Sequence, residues 1–166
     1  IAGIDEADAL LIIGSNPRVE APVINARVRK RWVLGKFPIG HIGPAGLDLT
    51  YPHDHLGEGP AAIRALLDGS HPFMETLRGA QRPMVILGRG ATQRPDGAAV
   101  LAAAWAVARA ANALREDWHG FNLLHHFGGQ VGALDVGFVP GAGAPDATAM
   151  AQGAVQTLWL LAADAV

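Results

Sequence analysis

An apolar run rising from Asp8 to Ile13 ends abruptly in Gly14-Ser15-Asn16-Pro17, and that junction constrains the fold more than any other stretch of the chain. Consecutive large aliphatics leave no polar face for solvent, so they predict a strand covered on both sides, and the four residues after them are turn formers. The pattern returns at Met84-Val85-Ile86-Leu87-Gly88 and starts again at Leu158-Trp159-Leu160-Leu161. Buried strands separated by roughly seventy residues of mostly helical pattern predict an α/β fold, a doubly wound and mostly parallel sheet with crossover helices on both faces.

Helix punctuation supports this. Acidic Glu20 and Pro22 mark a start, Ile24, Val28 and Trp32 recur four apart, and Arg29, Lys30 and Arg31 crowd the last turn before Gly35. Pro38 to Ile42 reads as a short second strand and Asp48 to Gly57 as a polar loop. Pro60 opens a helix with Ile63, Leu66 and Leu67 on its inner face and Gly69 as its stop, and a further short helix spans His71 to Leu77. From about Gly97 to Leu114 the pattern is apolar almost all round, which predicts an interior helix. Beyond it Phe121-Asn122-Leu123-Leu124 is the one ordered piece expected before Val139, and Pro140 to Asp146 is a loop by composition.

With 166 residues the chain is the size of one domain, and we read residues 1–166 as a single segment of a larger protein, its third strand-loop-helix unit cut off after about residue 162. A formal net charge of -2 with 17% charged residues gives no electrostatic footprint for nucleic acid. There is no cysteine, so disulfides, thiolate metal sites, Cys-ligated iron–sulfur clusters and a Cys nucleophile are excluded within these residues. The longest strongly apolar stretch, Ala98 to Ala108, is too short for a hydrocarbon core that takes roughly 20 residues to cross.

Motifs that carry chemistry are few. The Gly14-Ser15-Asn16 turn aims backbone amides at the carboxyl edge of the sheet, where doubly wound folds bind nucleotides, and Gly88-x-Gly90 is a weaker echo. Neither G-x-G-x-x-G nor G-x-x-x-x-G-K-[ST] occurs, which favours a turn imposed by topology over phosphate binding. His53 and His55 flank Asp54 on one side of an extended segment and would need Asp48 or His71 as a third metal ligand, while the neighbours His125 and His126 point apart. Ser15 and Ser70, the two serines, lack the nucleophile elbow of a hydrolase. The acids Asp5, Glu6 and Asp8, and Glu116 with Asp117, fall where caps or solvated loops are expected. The cations Arg27, Arg29, Lys30 and Arg31 suit either an acidic partner or a solvated helix end.

Against this background, Asp8 to Arg18, Glu20-Ala21-Pro22 and Asn25-Ala26-Arg27-Val28-Arg29-Lys30-Arg31-Trp32 resemble the large iron–sulfur subunit family of respiratory complex I, proton-pumping NADH:quinone oxidoreductase. The likeness continues through Asp48-Leu49-Thr50-Tyr51, Asp54-His55-Leu56-Gly57, His71-Pro72-Phe73, Arg82 to Gly88, Asp96 to Ala99, Trp118 to His125 and Val131 to Gly137. It implies a segment of that subunit's molybdopterin-oxidoreductase-like region, built of Rossmann-type units and shared with formate dehydrogenases and nitrate reductases. In the molybdenum relatives a loop like Gly14 to Pro17 holds a phosphate-bearing arm of the pterin dinucleotide; the complex I members are taken to have lost it.

The resemblance therefore implies a scaffold segment with no catalytic, cofactor-binding or metal-binding residue of its own. The [4Fe-4S] and [2Fe-2S] clusters would lie elsewhere in the subunit and flavin mononucleotide elsewhere in the complex. Partners would be other subunits of the peripheral arm, with NADH and quinone engaged only through the whole complex. Its place would be the cytoplasmic side of a bacterial inner membrane, or the matrix side of a mitochondrial one. Two alternatives stand beside it: a working pterin-dinucleotide domain of a molybdenum oxidoreductase, and the middle domain of a thiamine diphosphate enzyme. The second also places an Arg-Pro-Met-Val-Ile-Leu-Gly-like strand before an Ala-rich helix, but there that strand comes first, whereas here Asp8 to Gly14 precedes it.

Overall fold

Strand β1 (Ala9–Ile13) lies at the centre of a five-stranded, all-parallel sheet because its side chains are apolar on both faces. The computed structural model describes residues 2–160, which fall into two units, one through His126 and the other from Phe127. In the first unit the remaining strands are β2 (Ile39–Ile42), β3 (Asp54–Gly57), β4 (Pro83–Leu87) and β5 (Phe121–Leu123), in the order β3-β2-β1-β4-β5. The chain thus winds outward from β1 in both directions, and the strand order reverses between β1 and β4.

Alternation along β1 and β4 divides the core. Leu11, Ile13, Val85 and Leu87 face one layer with Ile63, Leu66, Met74, Leu77, Val100 and Val107. Leu10, Ile12, Met84 and Ile86 face the other with Ile4, Val28, Phe37, Leu49 and Trp118. The first layer is supplied by α3 (Gly59–Leu67), α4 (Phe73–Gly79) and α6 (Gly97–Ala110). Val28 of α2 (Pro22–Val33) belongs to the second, and the short turns α1 (Pro17–Glu20) and α5 (Arg89–Thr92) follow β1 and β4. Pro22 lacks the N–H that would continue α1, so the expected single helix is split, with Glu20 closing α1 and Pro22 opening α2.

The sheet is locked at both ends of the β1–β4 pair. At the amino end the Asp8 carboxylate accepts the Gln81 and Arg82 amides at 2.8 and 2.7 Å, while Glu6 pairs with Arg82 at 2.6 Å. At the carboxyl end the Gly88 amide donates to Ile13 O at 2.8 Å. There the two βα turns touch backbone to backbone: a Cβ on Gly88 would lie 2.3 Å from Ser15 Cβ and 2.5 Å from Gly14 O. Gly14 itself has φ of +60°, in the left-handed region, and packs on Ala91.

Several sequence expectations need correction. The polar loop expected over residues 48–57 ends as the edge strand β3; its outward residues are polar because only Leu56 is buried. The helix expected to be interior exposes one side, with Leu101 36% and Trp105 41% accessible while Val100, Ala104, Val107 and Ala108 are buried. Alanine fills both its faces, so hydropathy alone does not mark the stripe. A helix, α7 (Gly128–Asp135), forms in the second unit where no regular element was expected. Residues 158–160 carry no strand, and Leu161 lies outside the described residues. None of the second unit's described residues is buried, so its apolar side chains lack the internal packing that would hold a strand.

Two outcomes follow from this packing. Gly88→Ala forces a methyl group into the Ser15 backbone and should cost about 1–3 kcal/mol in urea unfolding, the usual range for overpacking. Ile86→Asp buries an unpaired charge in the central pair of strands, a penalty on the order of several kcal/mol. Circular dichroism should find that variant unfolded.

Candidate functional site

A crevice of about 390 Å³ opens at the carboxyl edge of the sheet, with Ser15, Glu20, Glu58, Ile63, Ala91 and Arg94 in its wall. Its position follows from topology, since the turns after β1 and β4 leave the sheet where the strand order reverses. This is the place a doubly wound fold would use for a phosphate.

Two donors of the first turn are engaged, while Asn16 Oδ1 is buried without a hydrogen-bond partner. Ser15 Oγ donates to Glu20 Oε2 at 3.0 Å and the Asn16 amide donates to Glu20 Oε1 at 3.0 Å, so one side-chain carboxylate takes both. Pro17 has no amide to offer, and the Gly14 amide is spent on Ile42 O at 2.8 Å. A second carboxylate in the wall, Glu58, accepts the Ala45 amide at 3.2 Å. Arg94 is held by its own neighbour Asp96 through two bonds, Nε to Oδ1 at 2.7 Å and Nη2 to Oδ2 at 3.0 Å. That pairing also lowers the Asp96 pKa from the ordinary carboxylate value.

A phosphate arm of a pterin dinucleotide does not fit these residues. It needs unspent donors and positive charge, whereas the Ser15 hydroxyl and the Asn16 amide donate to Glu20 and the arginine of the wall is paired with Asp96. Bringing a second anion beside Glu20 would add like-charge repulsion.

The histidines of this region meet around β2. His53 and His55 do converge, but on His41, with ring centroids 5.6 and 6.4 Å away. The residues that a metal would have needed as a third ligand are elsewhere: Asp48 pairs with Arg18, and His71 Nδ1 accepts the Phe73 amide at 3.2 Å as a cap on α4. Among the described residues no group of three or more His, Cys, Asp or Glu could hold a metal ion. Bonds from the Thr50 amide and then from Arg18 hold the exposed Asp48 carboxyl below its ordinary pKa. His126 meets Arg89.

Other candidates serve the fold. Ser70 Oγ donates to Ala65 O at 3.2 Å beyond the end of α3. Asp5 pairs with Arg27 at 2.7 Å, and Asp117 with Arg115 at 3.1 Å. Arg31 donates to Ala7 O at 2.7 Å and lies over the Phe37 ring at 4.8 Å. The Arg27–Arg31 run is therefore divided: Arg27 and Arg31 fasten α2 to the chain's first residues, while Arg29 and Lys30 face outward, exposed. Sequence reasoning missed Glu58, His41 and Asn25. Asn25 is buried; its Nδ2 donates to Leu49 O at 3.1 Å and its Oδ1 accepts the Tyr51 hydroxyl at 2.8 Å. Burial pushes that phenol's pKa up. A polar residue midway between Ala21 and Val28, on the helix face that carries Val28, was the available signal for Asn25.

Comparison with known proteins agrees with this architecture. The chain is 42% identical to NADH dehydrogenase [ubiquinone] iron-sulfur protein 1, mitochondrial, of Solanum tuberosum, over 84% of this chain and 19% of that protein. It is 40% identical to the NADH-ubiquinone oxidoreductase 78 kDa subunit of Neurospora crassa over 99% of this chain and 21% of the relative. With the NADH-ubiquinone oxidoreductase 75 kDa subunit of Reclinomonas americana the identity is 36% over 82% of this chain and 20% of the relative. The chain thus spans about a fifth of the length of the curated relatives it matches. The sequence profile of the molybdopterin oxidoreductase family matches residues 1–166, and with the doubly wound parallel sheet this places the chain in that family.

Proposed function

We propose that this chain is a scaffold segment of the large iron–sulfur subunit of an NADH:quinone oxidoreductase, and that it supports electron transfer from NADH to quinone without contributing a catalytic residue. The observation that carries the second part is the Glu20 carboxylate seated on Ser15 Oγ and the Asn16 amide. The Ser15 hydroxyl and the Asn16 amide, satisfied from within, need no ligand to complete them. The first part is supported by the identity, 36–42%, to subunits of that kind.

In this reading the iron–sulfur clusters lie in other parts of the subunit and flavin mononucleotide in other subunits. Partners are the neighbouring subunits of a peripheral arm, and the outward Arg29 and Lys30 of α2, together with the half-buried residues Phe121 to Leu124, belong to the packing surface. None of the helices among the described residues is long and apolar enough to cross a membrane, which suits a segment held outside the bilayer, on the cytoplasmic or matrix side. The pterin-binding alternative is disfavoured by Glu20, and the thiamine diphosphate alternative by strand order and by the family match.

The test is made in the assembled complex. Changing Ser15, Asn16 and Arg18 together to alanine should leave NADH-to-quinone turnover within about twofold of wild type, since each hydrogen bond removed is worth roughly 0.5–1.5 kcal/mol of local stability. A large loss of turnover in a fully assembled variant contradicts the reading. Inorganic pyrophosphate should not raise the thermal midpoint of the unaltered full-length protein, because ligand that binds the folded state would stabilise it by mass action.

A further inference from the structure

We propose that His41, packed against His53 and His55, forms a proton-sensitive latch that holds the first βα turn while its buried ring is neutral and releases it on acidification. This device is independent of the assignment to an oxidoreductase subunit, since it rests on side chains that the assignment does not use.

The geometry is that of a buried donor with one partner only. His41, in β2, is fully buried. Its Nε2 lies 3.1 Å from the Ser15 carbonyl, so the neutral ring with its proton on Nε2 donates there and fixes the turn. Its Nδ1 is buried with no hydrogen-bond partner. A doubly protonated ring would place a second N–H and a full charge at that position, with nothing to receive either. The ring packs against Gly43, where a Cβ would come within 2.8 Å of His41 Cε1.

The groups around it oppose charge. From β3, His55 is the registered neighbour of His41, and its Nε2 lies 2.8 Å from Gly43 O. From the segment before β3, His53 meets the ring edge-on, with its Nδ1 3.3 Å from Tyr51 O. The loop between β2 and β3 carries Asp48, which is committed to Arg18, and Tyr51, which donates to Asn25. From the first turn comes the Ser15 carbonyl, and the acid of that region, Glu20, is committed to Ser15 Oγ and Asn16. Burial lowers the His41 pKa from 6.5; the Ser15 bond opposes that shift, and the two neighbouring imidazoles add to it.

A folded state that disfavours protonated His41 binds fewer protons than the unfolded chain, so its contribution is complete above 6.5 and is lost as the pH falls from there toward the depressed value. Within that window the population of the released turn grows about tenfold per pH unit.

Hydrogen exchange of the peptide spanning residues 14–20, read by mass spectrometry in the full-length protein and corrected for the intrinsic exchange rate, measures this directly. Between about pH 7.5 and about pH 5 the wild-type peptide should lose protection by up to about tenfold for each unit of His41 depression. His41→Gln keeps an N–H donor for Ser15 and cannot titrate, so its protection should stay level across the range. His53→Asn with His55→Asn removes the neighbouring imidazoles that add to the His41 depression and should lose less protection than wild type. Level protection in the wild type, or a loss in His41→Gln as large as in the wild type, overturns the latch. If His41→Gln fails to fold, an undiminished loss in the double variant overturns it.

Discussion

The close approach of the turns after β1 and β4 is the constraint on which the rest of this structure depends. Two parallel strands can be central in a sheet only if their connections leave without colliding, and here the connections leave in contact. Gly14 and Gly88 remove the side chains that would hold the turns apart, and the Gly88 amide bonds to Ile13 O. At the other end Asp8 accepts two amides from the entrance of β4. With the pair fixed at both ends, register is set, both faces of the sheet must be covered, and the helices follow.

The same constraint shapes the crevice. In doubly wound folds the reversal of strand order opens a cleft whose amides attract phosphate. Here the turns have closed on each other, and Glu20, the last residue of α1, has taken the Ser15 hydroxyl and the Asn16 amide. The carboxylate caps its own turn as a bound anion would. The turn is thereby completed from within the chain, which suits the scaffold role proposed for this segment.

The parts of this fold legible in the sequence are those in which one physical demand dominates. β1 and β4 are buried on both faces and so are continuously apolar, and α2 announces itself by Pro22, its spaced Ile24, Val28 and Trp32, and Gly35 with φ of +83°. β3 was hidden because an edge strand with a single buried residue, Leu56, is polar along most of its length. The site was hidden for a different reason. Glu20 reads as an ordinary acid at a helix start, and nothing in linear spacing shows that it folds back four and five residues to Asn16 and Ser15. His41 sits within an otherwise apolar strand, and its meeting with His53 and His55 exists only through the β2–β3 pairing.

The most direct measurement of the central claim is a density map of the full-length protein at a resolution that defines side chains around Ser15. The expected map has the Glu20 carboxylate resting on Ser15 Oγ and the Asn16 amide, with the crevice above them free of any phosphate. A pterin or phosphate group ordered over Ser15, with Glu20 turned away, would contradict it.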